Sequence, residues 1–81
     1  MCYFIIFPSI TYAQRAEDLL AHRGVISHMV RTPSEIGASA CSYALRICDA
    51  NYRRALEMLK SARIPYKKVV SYDGTYREVG K

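Results

Sequence analysis

The stretch CYFIIFP, residues 2–8, constrains the fold more than any other part of the chain. Aromatic and β-branched residues fill it and Pro8 ends it, so it reads as a strand. Both of its alternating sets, Tyr3/Ile5/Phe7 and Phe4/Ile6, are apolar. A strand that is apolar on both faces needs cover on both, which predicts a central position in a sheet. The whole chain has 81 residues, enough for one small domain whose core depends on tight packing, a partner subunit or a ligand.

Alternating elements follow this strand. Ser9 and Thr11 are alternative caps for a helix whose apolar positions Tyr12, Ala16, Leu19 and Leu20 fall at i, i+4, i+7 and i+8. Gly24 supplies the stop. ISHMVR (26–31) reads as a second, peripheral strand bounded by Thr32 and Pro33, after which residues 33–36 form one helical turn. Small residues then lead to Cys41 and a third strand, SYALRIC, with Tyr43, Leu45 and Ile47 on one face and Ala44, Arg46 and Cys48 on the other. Asp49 caps a second helix, buried through Tyr52, Ala55, Leu56 and Leu59 and ending before Pro65. YKKVVSY (66–72) is a fourth strand. Asp73-Gly74 is a hairpin-type turn, so TYREV is either a short fifth strand or a tail. The expected organisation is a single domain over 1–72, with a C-terminal turn and short strand or tail over 73–81.

The order βαββαβ predicts an α+β class and a ferredoxin-like sandwich, a four-stranded antiparallel sheet with two helices on one face. In this reading the first and third strands are parallel central neighbours, which brings Cys2 and Cys41 to the same end of the sheet. Both helix C-termini then point towards Cys41, and their partial negative charge opposes a thiolate. The uncovered sheet face would show Tyr3, Ile5, Phe7, Ala44, Arg46 and Cys48. An apolar open face packs against a partner or a second copy, so a homodimer covering Ile5 and Phe7 is expected. Base stacking on such a sheet needs aromatics on both central strands. The third strand offers none on that face, which ranks nucleic acid below a protein partner.

The formal net charge of +5, from 12 Lys and Arg against 7 Asp and Glu, favours an anionic ligand, an acidic partner or nucleic acid over a cationic substrate. Its densest groups, Arg53-Arg54 and Lys67-Lys68, read as solvated faces. The apolar N-terminal run has no basic flank and is too short to span a bilayer, so no membrane partner and a cytoplasmic location are expected. The 3 cysteines fit a reducing compartment. Without a paired CxxC, and without ligand spacing between His22 and His28, no metal and no cofactor is expected. Glu17 and Asp18 occupy an exposed helix face, and no catalytic triad or carboxylate pair is suggested. This points to a carrier or binding protein rather than a stand-alone enzyme.

Cys41 is the candidate for chemistry, because it follows a run of small residues and directly precedes a strand. Such a loop leaves a thiol accessible while the strand fixes its place. The succession of YFIIF, AEDLL, RTPSEI, a small-residue loop with one cysteine, and YALRI resembles short bacterial proteins of the Se/S carrier protein-like family. The resemblance extends to about Tyr72 and is most specific over TPSEIGASACSYALRI. It implies a sulfur or selenium carrier in which Cys41 holds the atom as a persulfide or selenenylsulfide, served by donor and acceptor proteins. That chemistry requires an exposed, electropositive thiol. Arg31, Arg46, Ser39 and Ser42 are its expected surroundings, and Cys2 a possible resolving thiol. Ser42 stands where the family usually has glycine, which changes the backbone freedom beside Cys41. The alternative is a small non-catalytic module acting through homodimerisation or a protein partner.

Overall fold

The computed structural model describes residues 1–32 and 43–79. Along the chain run β1 (Cys2–Phe7), α1 (Ile10–His22), β2 (His28–Arg31), β3 (Tyr43–Cys48), α2 (Asp49–Ser61), β4 (Lys68–Tyr72) and β5 (Tyr76–Val79). The class is α+β; the described residues form two helices and a five-stranded sheet of order β2-β3-β1-β4-β5 in which every neighbouring pair is antiparallel. The four-stranded ferredoxin-like expectation matches this only loosely. β5 pairs with β4 through Tyr72 opposite Tyr76 and Val69 opposite Val79, so the TYREV segment is a strand. The expected turn at residues 33–36 lies outside the described residues.

β1 is central, as its doubly apolar sequence requires, but its relation to β3 differs from the expectation. The two strands are antiparallel, with Cys2 opposite Cys48 and Phe7 opposite Tyr43. The physical reason is connectivity. A helical crossover makes β1 and β2 parallel, and the antiparallel turn back from β2 reverses β3 relative to both.

The register also fixes which side chains share a face. Ile5 and Phe7 pack with Ala13, Ala16 and Leu20 of α1, Ala55 and Leu59 of α2, and Leu45, Ile47 and Val69 of the sheet. Tyr12, Leu19, Tyr52 and Leu56 pack around this core as partly buried residues. Phe4, Ile6, Ala44 and Val70 form a second cluster on the opposite side, with Val30 and Tyr76 against it. Ile5 and Phe7 are therefore under the helices and not on an open face, which removes the proposed dimer contact through them. The face that neither described helix covers, hereafter the helix-free face, carries Phe4 and Ile6 with Ala44, Arg46 and Cys48.

Both helices end in the same way. After α1, Gly24 N–H donates to Ala21 O and Val25 N–H to Leu20 O at 3.1 and 2.8 Å. This is the Schellman arrangement, and Gly24 takes the left-handed φ of +78° that it demands. After α2, Ile64 N–H donates to Leu59 O at 3.0 Å and Arg63 occupies the equivalent left-handed position at φ 57°. α2 begins at Asp49, with Cys48 rather than Asp49 as its cap residue.

Candidate functional site

The sheet has two ends with different chemistry. At one, β1 begins and β3 ends; at the other, β1 ends and β3 begins. Cys41, Ser39 and Ser42 lie outside the described residues. The strand that Cys41 precedes in sequence starts with Tyr43, opposite Phe7. Cys2 is at the far end of β1 from Phe7, opposite Cys48. The pairing of Cys2 with Cys41 rested on parallel neighbouring strands, and the antiparallel register removes that basis.

Helix polarity also differs from the expectation that both C-termini face the start of β3. α1 follows Phe7 after only Pro8 and Ser9, so its N-terminus, not its C-terminus, adjoins that end of the sheet. Ser9 is its cap residue and makes no side-chain cap hydrogen bond. The first turn of a helix carries unpaired N–H groups and a partial positive charge, which favour an anion. α2 starts directly after Cys48, beside Cys2.

The two arginines expected around the thiol are not brought together. Arg31 closes β2 opposite Tyr43, and Arg46 lies opposite both Phe4 and His28. Opposed residues share a face. Arg31 therefore lies on the side of Tyr43 and Arg46 on the helix-free side with Phe4. Both are exposed. Of the two, Arg31 stands at the end where β3 begins.

The Cys2 end is held by several contacts. Asp49 N–H donates to Met1 O at 3.2 Å, tying the start of α2 to the start of β1. The Tyr3 and Tyr52 rings stack with centroids 3.8 Å apart and planes 8° from parallel. Burial, then the Asp49 carboxylate through its charge and a hydrogen bond, raise the Tyr3 phenol above its ordinary value, while Arg53 opposes the shift. Burial likewise raises Tyr52, with smaller contributions from Tyr3 and Tyr66. The thiol opposite Cys2 is Cys48, which the sequence places only as a residue of the third strand. It is exposed, Cys2 is partly exposed, and both are free.

Among the described residues no group of three His, Cys, Asp or Glu side chains converges to hold a metal ion. No described helix is long and apolar enough to cross a membrane.

The decisive comparison is with a family model described as "Putative Se/S carrier protein-like", which matches residues 2–71. The chain belongs to that family. No curated protein and no solved structure matches it. The family match takes in both β1 and the whole segment from Thr32 through β3, and it ends within β4. β5 lies beyond it.

Proposed function

We propose that this member of the Se/S carrier protein-like family carries sulfur or selenium on Cys41. The observation that supports the reading most is the family match over residues 2–71, within which the TPSEIGASACSYALRI segment holds a single cysteine, Cys41. We read β1 to β4 with their two helices as a ferredoxin-like unit to which β5 adds an edge strand. That unit serves as a rigid support for the segment that carries Cys41.

The loading step is thiol exchange. The Cys41 thiolate attacks the outer sulfur of a donor persulfide, the donor S–S bond breaks, and the donor leaves as a thiolate while Cys41 becomes the persulfide. Delivery repeats the attack from an acceptor nucleophile and returns Cys41 to the thiolate. A perselenide donor loads selenium by the same route. Two features at the start of β3 support an anionic adduct in that region: the partial positive charge at the N-terminus of α1 and the exposed Arg31.

Mass spectrometry after incubation with a persulfide donor tests the assignment. One added sulfur on the Cys41 peptide is expected, lost in Cys41→Ser and retained in Cys48→Ser. Equal loading of all three cysteines, or none on Cys41, would reject the carrier reading in favour of a module that binds a protein partner without chemistry.

A further inference from the structure

The thiols of Cys2 and Cys48 face each other across the two central strands, and we propose that they form a reversible redox site which closes to a cross-strand disulfide by exchange with a small-molecule disulfide. The proposal is independent of any chemistry at Cys41.

The register carries the argument. Cys2 and Cys48 are direct partners in the antiparallel β1–β3 pair, so their side chains leave the same face of the sheet. Opposed pairs along such a ladder alternate between those that exchange backbone hydrogen bonds and those that do not. Asp49 N–H donates to Met1 O, and Met1 and Asp49 are the next opposed residues in this register. The Met1/Asp49 position is therefore of the hydrogen-bonded kind, and Cys2/Cys48 is of the other kind. Its Cα atoms stand about 4.5 Å apart, with side chains closer than at hydrogen-bonded positions. A disulfide spans Cα separations of about 4.4–6.8 Å, so the bond closes without moving either strand.

Access and anchoring are both present. Cys48 is exposed and Cys2 partly exposed, and each carries a free thiol that a reagent reaches from solvent. Cys48 is also the cap residue of α2, with extended backbone at φ −70° and ψ 154°. The helix that follows pins it, and the Asp49–Met1 hydrogen bond pins the strand bearing Cys2. On the other side of Cys2 stands Tyr72, whose ring packs near Phe4 and Tyr76. The pair thus lies at one margin of the helix-free face, opposite in direction to the start of β3.

Oxidised glutathione provides a balanced reaction. The Cys48 thiolate attacks one of its sulfurs, forming a mixed disulfide and releasing one glutathione thiolate. The Cys2 thiolate then attacks the Cys48 sulfur, the mixed S–S bond breaks, and a second glutathione thiolate leaves. The two protein thiols are oxidised by two electrons, the glutathione disulfide is reduced by two, and the two thiol protons end on glutathione. Excess reduced glutathione reverses both steps.

Peptide mapping of the full chain after equilibration with oxidised glutathione, once folded and once in concentrated urea, tests the site. In the unfolded chain, loop closure favours joining Cys41 to Cys48 over joining Cys2 to Cys48 by about tenfold, because the shorter loop costs less entropy. The folded chain should reverse this order and give the Cys2–Cys48 peptide as the dominant product, at least tenfold over either alternative. Cys2→Ser should convert that product into a glutathione adduct on Cys48. A folded chain that yields only glutathione adducts, or the same distribution as in urea, overturns the proposal. A circular dichroism spectrum identical in the two redox states confirms that the folded sample was the species mapped.

Discussion

Ile5 and Phe7 on one face of β1 and Phe4 and Ile6 on the other are similarly apolar and similarly deep, at 0% and 0% exposure against 7% and 0%. What differs is their company. The first face lies under α1 and α2, where small Ala13, Ala16 and Ala55 let the helices approach the sheet. The second carries no helix among the described residues, and its margin is polar, with exposed Arg46 and Cys48 beside Phe4 and Cys2. Apolar character along a strand therefore marks it as central but says nothing of which face receives the helices. The proposed Cys2–Cys48 site lies on the side that the described helices leave free.

The sharpest way to break this comparison is to place a charge on each face. Phe7→Glu buries a carboxylate in the helix-covered core, where an unpaired ion costs several kcal/mol, on the order of the whole stability of a small domain. The variant should fail to fold. Arg46→Glu, at an exposed position on the other face, should stay within about 0.5 kcal/mol of the parent. Urea denaturation followed by far-ultraviolet dichroism reads both. A folded Phe7→Glu protein that merely changed its association state would restore the dimer contact that the helix packing excludes.

Leu59→Ala sharpens the same contrast with a neutral change. Leu59 is fully buried between α2 and the sheet, and removing its side chain should cost about 2–5 kcal/mol. Leu56, on the same stripe but only partly buried, should cost less on truncation. Equal midpoints for the two variants would mean that α2 sits on the sheet through a different stripe.

Much of this fold is legible in the residues themselves. The doubly apolar β1, the helical stripes, the stop at Gly24 and the turn at Asp73-Gly74 each follow from local spacing or backbone chemistry. The phase of β1 is not, because its two alternating sets are equally apolar. β3 holds the missing information. Tyr43, Leu45 and Ile47 form a bulky apolar row, whereas Ala44, Arg46 and Cys48 do not, so the helices belong over the first row. The observed antiparallel register sets that row opposite Tyr3, Ile5 and Phe7.

The same register governs the candidate thiols. Treating β1 and β3 as parallel joins Cys2 to Cys41 on a basis that the antiparallel register removes, and leaves Cys48 without a neighbour. Connectivity alone would have reversed the assignment, since a crossover followed by an antiparallel return makes the third strand antiparallel to the first. The proposed role of Cys41, which lies outside the described residues, rests on a different route, residue pattern and family.

The smallest expected effect concerns the Tyr3–Tyr52 stack that closes the Cys2 end over the helix-covered face. Burial leads the upward shift of both phenols, and the Asp49 carboxylate adds to that of Tyr3. A phenol whose folded pKa lies above its unfolded value of about 10 binds its proton more tightly when folded. Its contribution to stability is therefore complete below the unfolded value and is lost as pH rises from there through the folded value. Tyr52→Phe keeps a stacked ring but removes one of the two ionisations, so the variant should lose less stability than the parent between neutral and strongly alkaline pH. The difference should be small, since Tyr52 is only partly buried and solvent screens its charge. Urea midpoints measured for both proteins across that range decide it. Parallel pH profiles would show that the two rings stack without coupling their ionisation to folding, so that the stack secures the end of the sheet holding Cys2 and Cys48 by packing alone.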